Sequence, residues 1–297
     1  MLAAQSKVGL VCLSGPPDLS KTGAGMAILR NWGLLGQPGP ILQSLLAQPA
    51  ASRNYLAASD QERIADWEWA CREMDAIWLV RGGYGLTRIL DQLDLRYRRE
   101  IPVVGFSDAT AWLEALRQQG WNQLIHAPNV QTLPTLDDGS LKCLHSLLLK
   151  GSCQPLPGVQ IAGPRLSSPL QGKLMGGNLC LLASLSGTKW QVSAKDHILA
   201  LEDINEPAYR LDRMLTQLLA SGSLQGVRAI VTGHFYNCQG AEEVVCERLG
   251  PLGVPILARL PFGHTLPHLP LWLNQTVSLS SHQMAWLSNS TISGSGA

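Results

Sequence analysis

The sequence predicts an α/β protein in two parts: an N-terminal Rossmann-like domain built on a parallel sheet, then a C-terminal mixed α/β domain. Three observations predict it. Short apolar runs alternate with helical patterns through the first half of the chain, and Pro and Gly gather near its middle. The length, 297 residues with 45% apolar and only 15% charged, exceeds what one hydrophobic core usually serves.

The first apolar run, Val8 to Leu13, stops at Ser14-Gly15-Pro16-Pro17 and reads as a strand. A helical pattern over Gln61 to Arg72 follows, then strand-like runs at Ala76 to Val80 and Ile101 to Val104, then a helical segment over Ala109 to Gln118. Strands recurring between helices call for parallel pairing, because the crossover needs about a helix of chain. The runs end in Ser14-Gly15-Pro16, Arg81-Gly82-Gly83-Tyr84-Gly85 and Gly105-Phe106-Ser107-Asp108. Such carboxyl ends are where open α/β sheets bind ligands.

Pro155, Pro157-Gly158, Gly163-Pro164 and Ser167-Ser168-Pro169 break all periodicity, so residues 151–169 read as an interdomain linker and 1–150 as the first domain. The second domain, 170–287, is expected to hold a Gly-rich turn into a helix at Gly176-Gly177-Asn178-Leu179, a strand at Ile198 to Leu201 and a helix from Pro207. Strands at Val227 to Val231, Val254 to Leu257 and Thr276 to Leu279 complete it. In the Pro207 helix, Leu211, Met214, Leu215, Leu218 and Leu219 share one face, Pro207 suits the first helical position and Gly222 the end. Residues 288–297 are small and polar and read as a flexible tail.

Composition narrows the function. The formal net charge is +1 and no basic stripe interleaved with aromatics occurs, which argues against a nucleic-acid partner. The run after the N-terminus is too short for a signal peptide and no stretch is long enough to span a bilayer, so a cytoplasmic protein without a membrane partner is expected. Seven cysteines, an odd number without a C-x-x-C pair, fit free thiols in a reducing compartment. No His-Glu-x-x-His pattern occurs, and Cys143 with His145 is a two-ligand fragment at most, so neither a metal nor a cofactor is expected.

Ser107 follows a buried strand and precedes a helix, with Gly105 two residues before it. That is the logic of a nucleophile elbow, which exposes a hydroxyl and aims helix N-terminal amides at a developing oxyanion. Ala109 stands where the usual elbow has Gly, and a plain helix cap by Ser107 or Asp108 fits the same residues. The Arg81–Gly85 loop offers main-chain N–H groups for an oxyanion or carboxylate, or is simply a turn. Glu202 and Asp203 close the predicted Ile198 to Leu201 strand, where a carboxylate can orient a histidine. His264, in Pro261-Phe262-Gly263-His264-Thr265, has the most site-like setting of the seven histidines.

In this order the segments resemble the LD-carboxypeptidase family of serine peptidases, which includes the microcin-immunity peptidases. The likeness runs from about Lys7 to Leu279. It rests on Ser14-Gly15, Asn54-Tyr55-Leu56-Ala57-Ala58-Ser59-Asp60, Arg81-Gly82-Gly83-Tyr84-Gly85, Gly105-Phe106-Ser107-Asp108 and His126-Ala127-Pro128 in the first half. In the second half it rests on Gly176-Gly177-Asn178-Leu179, Leu201-Glu202-Asp203, Glu206-Pro207-Ala208-Tyr209-Arg210-Leu211-Asp212-Arg213 and Pro261-Phe262-Gly263-His264. Ala127 and Thr265 stand where the family commonly has Gly.

The resemblance implies Ser107 as nucleophile, His264 as base and Glu202 as the triad acid, with Glu206, at a helix start, as rival for that last role. It implies an oxyanion held by the N–H groups of Gly83 and Asp108, and Arg81 as candidate anchor for a substrate carboxylate. The implied substrate is a murein tetrapeptide losing its terminal D-alanine at an L,D bond during peptidoglycan recycling. A homodimer is compatible with the family, and the sequence is silent on it. Two rivals stand beside this reading: a microcin-immunity-type peptidase acting on peptidyl or aminoacyl nucleotides, for which nine tryptophans offer platforms, and a non-catalytic small-peptide binding protein.

Overall fold

A computed structural model of the chain describes residues 1–48, 55–96 and 100–287. Asn54 and the expected tail at 288–297 lie outside the described residues. The chain divides into two compact units, Met1–Gly151 and Ser152–Ala297.

The first unit runs β1 (Lys7–Val11), α1 (Leu19–Asn31), β2 (Leu35–Pro38), α2 (Pro40–Ala47), α3 (Asp60–Glu73), β3 (Ala76–Leu79), α4 (Leu86–Ile89), β4 (Val103–Gly105), α5 (Ala109–Gln118), β5 (Leu124–His126) and α6 (Asp138–Lys150). Its strands pair in parallel in the order β2-β1-β3-β4-β5. This is a doubly wound order whose direction reverses between β1 and β3, and ligands bind at such reversals, beyond the carboxyl ends. Val8, Leu10, Ile77, Trp78, Leu79, Val103 and Val104 expose no surface. Strands covered on both faces need no polar alternation, which is why they read as continuous apolar runs.

The α3 helix shows how sequence sets an element's ends. Ser59 accepts from the Glu62 N–H while the Glu62 carboxylate accepts from the Ser59 N–H, a reciprocal capping box, and Arg72 stands in the last turn against the negative end of the helix dipole.

The second unit runs β6 (Leu156–Pro157), β7 (Val159–Ala162), β8 (Leu170–Asn178), α7 (Leu179–Ser184), β9 (His197–Ile204), α8 (Ala208–Ala220), β10 (Ala229–Tyr236), α9 (Ala241–Leu249), β11 (Ile256–Ala258), β12 (Leu271–Leu273), β13 (Thr276–Leu279) and β14 (Gln283–Trp286). One sheet has the order β6-β14-β13-β8-β9-β10-β11-β7. Its two end strands, β6 and β7, are consecutive in the chain, separated by Gly158 alone, and are only two and four residues long, so neither edge offers a long strand to another chain. Parallel pairs β8–β9, β9–β10 and β10–β11 form one side, antiparallel pairs the other.

Residues 151–169, expected as a linker, therefore contain two strands of this sheet. The Pro and Gly that suggested a crossing keep each strand short and mark the kink at Gly158 between them. Helix α8 has the expected apolar face, with Leu211, Met214, Leu215 and Leu218 buried, but Pro207 is its cap and not its first residue. Leu215→Ala should lower stability by about 2–5 kcal/mol through lost burial and a residual cavity, measurable by urea denaturation of the second unit's signal.

Candidate active site

Three loops at the carboxyl ends of β1, β3 and β4 are braced together by two buried charged side chains. Arg63 of α3, with no exposed surface, donates to the Leu13 and Gly85 carbonyls and to Asp60. Asp108, also fully buried, accepts from the Ser14 hydroxyl at 2.6 Å and from the Leu86 N–H at 2.9 Å. Burial is the largest influence on the Asp108 carboxyl and raises its pKa despite those donors. Asp108 thus binds neighbouring loops with its side chain and makes no side-chain cap to α5.

Ser107 has φ +63°, in the left-handed region that a residue with a Cβ rarely adopts. Such a conformation costs about 1–3 kcal/mol and persists only where the surroundings enforce it. Here they do. A Cβ on Gly105 would lie 2.8 Å from the Ala109 Cβ, so a glycine and an alanine let the chain turn tightly about Ser107. The turn is partly exposed at Ser107 itself, and among the described residues of this unit the Ser107 hydroxyl makes no hydrogen bond. Gly82 packs against it, since a Cβ there would stand 3.1 Å from the Ser107 Cβ and 3.3 Å from its Oγ.

The Gly82 carbonyl accepts from Gly15 N–H at 3.1 Å. A planar trans peptide then turns the Gly83 N–H away from Gly15. Neither Gly83 nor Asp108 spends its N–H on a main-chain bond in this unit. Arg81 donates from Nη1 to the Pro16 carbonyl. That bond ties the guanidinium to a main-chain oxygen of the neighbouring loop.

In the second unit, Glu202 lies within β9, opposite Asn178 of β8. The strand continues through it to Ile204, past the end expected at Leu201. A carboxylate can sit inside this strand because each acid is partnered. Asp203 accepts from Asn178 Nδ2, from Cys180 N–H and from Ile204 N–H, each at 2.9 Å, fixing the end of β8 and the start of α7. Burial lifts the Asp203 carboxyl to about 6, against the lowering by those donors.

Glu202 meets His264. The imidazole Nδ1 and Glu202 Oε2 are 2.7 Å apart, with Glu202 fully buried and the His264 side chain 14% exposed. Burial works to lower the His264 pKa, but the Glu202 hydrogen bond and charge, helped by Asp203, outweigh it and raise the pKa above 6.5. The loop bearing His264 is seated on a break in the β9–β10 register at Gly233 and His234. There His234 N–H donates to the Phe262 carbonyl at 2.9 Å and Leu260 N–H to the Thr232 carbonyl at 3.0 Å. Glu206, the rival acid, ion-pairs with Arg210 at 3.5 Å.

Gly263 lets the loop approach. It has φ +109°, and a Cβ there would stand 3.0 Å from Glu202 Oε2 and 3.2 Å from the His234 carbonyl. Gly263→Ala should displace the imidazole and cut kcat/KM about 100-fold, while costing about 1–3 kcal/mol of stability, measured by peptide turnover and denaturation.

The structure thus brings Glu202 to His264 in the second unit, and gathers Arg81, Gly83, Ser107 and Asp108 around one turn in the first. Sequence reasoning passed over Arg63 and Asn129, whose Oδ1 accepts from Phe106 N–H at 3.3 Å. An arginine on an otherwise core-facing helical stripe was the one available signal. Among the described residues, no group of three or more His, Cys, Asp or Glu side chains is placed to hold a metal ion, and no helix is long and apolar enough to cross a membrane.

Comparison with known proteins gives a consistent pattern. Residues 8–127 match the LD-carboxypeptidase N-terminal domain and residues 171–279 the LD-carboxypeptidase C-terminal domain. A putative carboxypeptidase of Synechocystis is 36% identical over 83% of this chain and 81% of its own length. The murein tetrapeptide carboxypeptidase of Pseudomonas aeruginosa is 32% identical over 80% of this chain and 83% of its own. Among solved structures, the muramoyltetrapeptide carboxypeptidase from Oxalobacter formigenes superposes with a TM-score of 0.78 at 26% identity, covering 95% of this chain and 99% of that one. MccF in complex with glutamyl sulfamoyl guanosine shares the fold, with a TM-score of 0.81 at 18% identity and 97% of each chain covered.

Proposed function

Because the chain belongs to the LD-carboxypeptidase family, we propose that it is a serine-type carboxypeptidase that removes the terminal D-alanine from murein tetrapeptides in cytoplasmic peptidoglycan recycling. The observation that carries the chemistry is the 2.7 Å contact between His264 and a fully buried Glu202, in a chain whose only strained strand-to-helix serine is Ser107 among the described residues. What favours murein over nucleotide-linked peptides is the tetrapeptide carboxypeptidase at 32% identity, against 18% for MccF.

In this reading residues 1–150 supply the nucleophile and 170–287 the acid and base. With Nδ1–H donated to Glu202, His264 Nε2 is left to accept the Ser107 proton as Oγ attacks the peptide carbonyl. The N–H groups of Gly83 and Asp108 stabilise the oxyanion. His264 then returns the proton to the departing D-alanine amine, and water releases the acyl group by the reverse path. Arg81 holds the substrate's terminal carboxylate. The contact chosen by His264 supports Glu202 over Glu206 as the triad acid.

The pH dependence follows from the sign of one shift. A base must be neutral, and His264 is held protonated to a pH above 6.5 by Glu202, so kcat/KM should fall on the acid side with an inflection above 6.5. In Glu202→Gln the residual activity should inflect at lower pH. A wild-type inflection below 6.5, unmoved by that substitution, would contradict the assignment.

The substrate is tested by mass spectrometry of a murein tetrapeptide and of a peptidyl-adenylate analogue, each incubated with the enzyme. Loss of one alanine from the tetrapeptide alone supports this function. Cleavage of the analogue alone would transfer the chemistry to nucleotide-linked peptides.

A further inference from the structure

Two of the five tyrosines stand together beside the Ser107 turn. Tyr55 is 53% and Tyr84 50% exposed, with ring centroids 6.0 Å apart and planes tilted by 47°. What sets them apart from Tyr209 and Tyr236, which are just as exposed, is that they adjoin and present one aromatic surface to water. Their backbone is fixed. Tyr84 lies between Gly83 (φ +102°) and Gly85 (φ +141°), and the Gly85 carbonyl accepts from buried Arg63 at 2.8 Å. A Cβ at Gly85 would lie 2.7 Å from Arg63 Nη1, so the loop cannot relax there. On the other side, Ala57 N–H donates to the Ser14 carbonyl at 2.9 Å and anchors the chain just after Tyr55.

Beside the rings is a cation with donors to spare. Arg88 lies one turn past Tyr84, its N–H donating to the Gly85 carbonyl at 3.2 Å. Its Nε donates to both oxygens of Asp60 at 2.9 Å, and among the described residues no hydrogen bond is made by its outer guanidinium nitrogens. Asp60 is also bound by Arg63, so one carboxylate is shared between two guanidiniums. Gly82 touches Ser107, and Tyr84 follows two residues later, so the patch begins within about 10 Å of the hydroxyl, or about three extended residues.

Building on the carboxypeptidase reading, we propose that Tyr55, Tyr84 and Arg88 form a specificity subsite that reads an acidic residue within about three positions of the scissile bond. The carboxylate pairs with the outer nitrogens of Arg88 and the carbon stem lies across the phenol rings. A peptide carboxylate fits this cluster better than a nucleobase does, because stacking uses the rings and leaves the guanidinium unmatched.

The test is calorimetric titration of Ser107→Ala with a murein tetrapeptide and with the same peptide carrying carboxamides at its internal carboxylates. Turnover by the unsubstituted enzyme is measured separately. The subsite predicts about 10-fold tighter binding of the acidic peptide, a ratio near one once Arg88→Gln is added, and weaker binding of both peptides once Tyr84→Ala is added. Arg88→Gln that weakens both peptides equally, or leaves the ratio intact, overturns it, as does binding of neither peptide. Displacement of the peptide by adenosine 5′-monophosphate that is lost in Tyr84→Ala also overturns it, in favour of base stacking. Acid-selective binding without turnover would remove the proposed activity and leave the subsite standing.

Discussion

Ser107→Ala is expected to lower kcat/KM on a murein tetrapeptide by about 10⁴-fold or more, because in the proposed mechanism it removes the nucleophile of the covalent step, and the nearby Ser14 hydroxyl is spent on Asp108. Folding should be nearly untouched, since the hydroxyl makes no hydrogen bond among the described residues of its unit and alanine inherits the same backbone strain at φ +63°. A companion variant separates chemistry from strain. Ser107→Gly should be equally inactive, yet about 1 kcal/mol more stable, because glycine adopts a positive φ without a Cβ penalty. Denaturation curves of the three proteins beside their turnover rates check both parts. A serine that merely capped α5 would give the opposite pattern, with stability lost and activity kept.

Glu202→Gln is expected to cost about 10³–10⁴-fold in kcat/KM, with KM changed far less. The physical reason is orientation as much as charge. The carboxylate accepts from Nδ1 of His264 and so selects the tautomer whose Nε2 carries no proton and can accept one, whereas an amide can equally present its NH₂ and favour the wrong tautomer. In the proposed mechanism the substitution also removes the stabilisation of the imidazolium that forms as Ser107 attacks. Glu206→Gln, by contrast, should alter kcat/KM less than 10-fold, because its carboxylate is spent on Arg210 at the start of α8. Steady-state kinetics of the two variants side by side distinguish the two acids.

Much of the first unit is legible in the sequence. Buried parallel strands give continuous apolar runs, and the expected helix at Ala109 to Gln118 has those bounds in the structure. The Ser107 turn is legible for the same reason: apolar chain stops at Gly105 and helical chain resumes at Ala109. The second unit is read less well because its order depends on distant partners. Leu156 and Pro157 pair with Met284 and Gln283, and no local pattern announces strands so short and so rich in Pro and Gly.

The end of β9 is misread for a related reason. Glu202 and Asp203 look like strand terminators by charge, yet both are buried inside the strand, one against His264 and the other under Asn178 and Cys180. Tertiary partners override a local propensity here, and they do so at the candidate site, where side chains are selected for chemistry at the expense of strand propensity. The aromatic pair at Tyr55 and Tyr84 is invisible for another cause. Its members are far apart along the chain and are joined only by the packing of loops on the same sheet edge.

The central claim is that Ser107 is a nucleophile activated by His264. Its most direct test is labelling with a fluorophosphonate, followed by proteolysis and mass mapping of the adduct. The account predicts one adduct, on the peptide containing Ser107, formed by the wild-type protein and lost in Ser107→Ala and in His264→Ala. An adduct on a different residue, or undiminished labelling of Ser107 in His264→Ala, would contradict it.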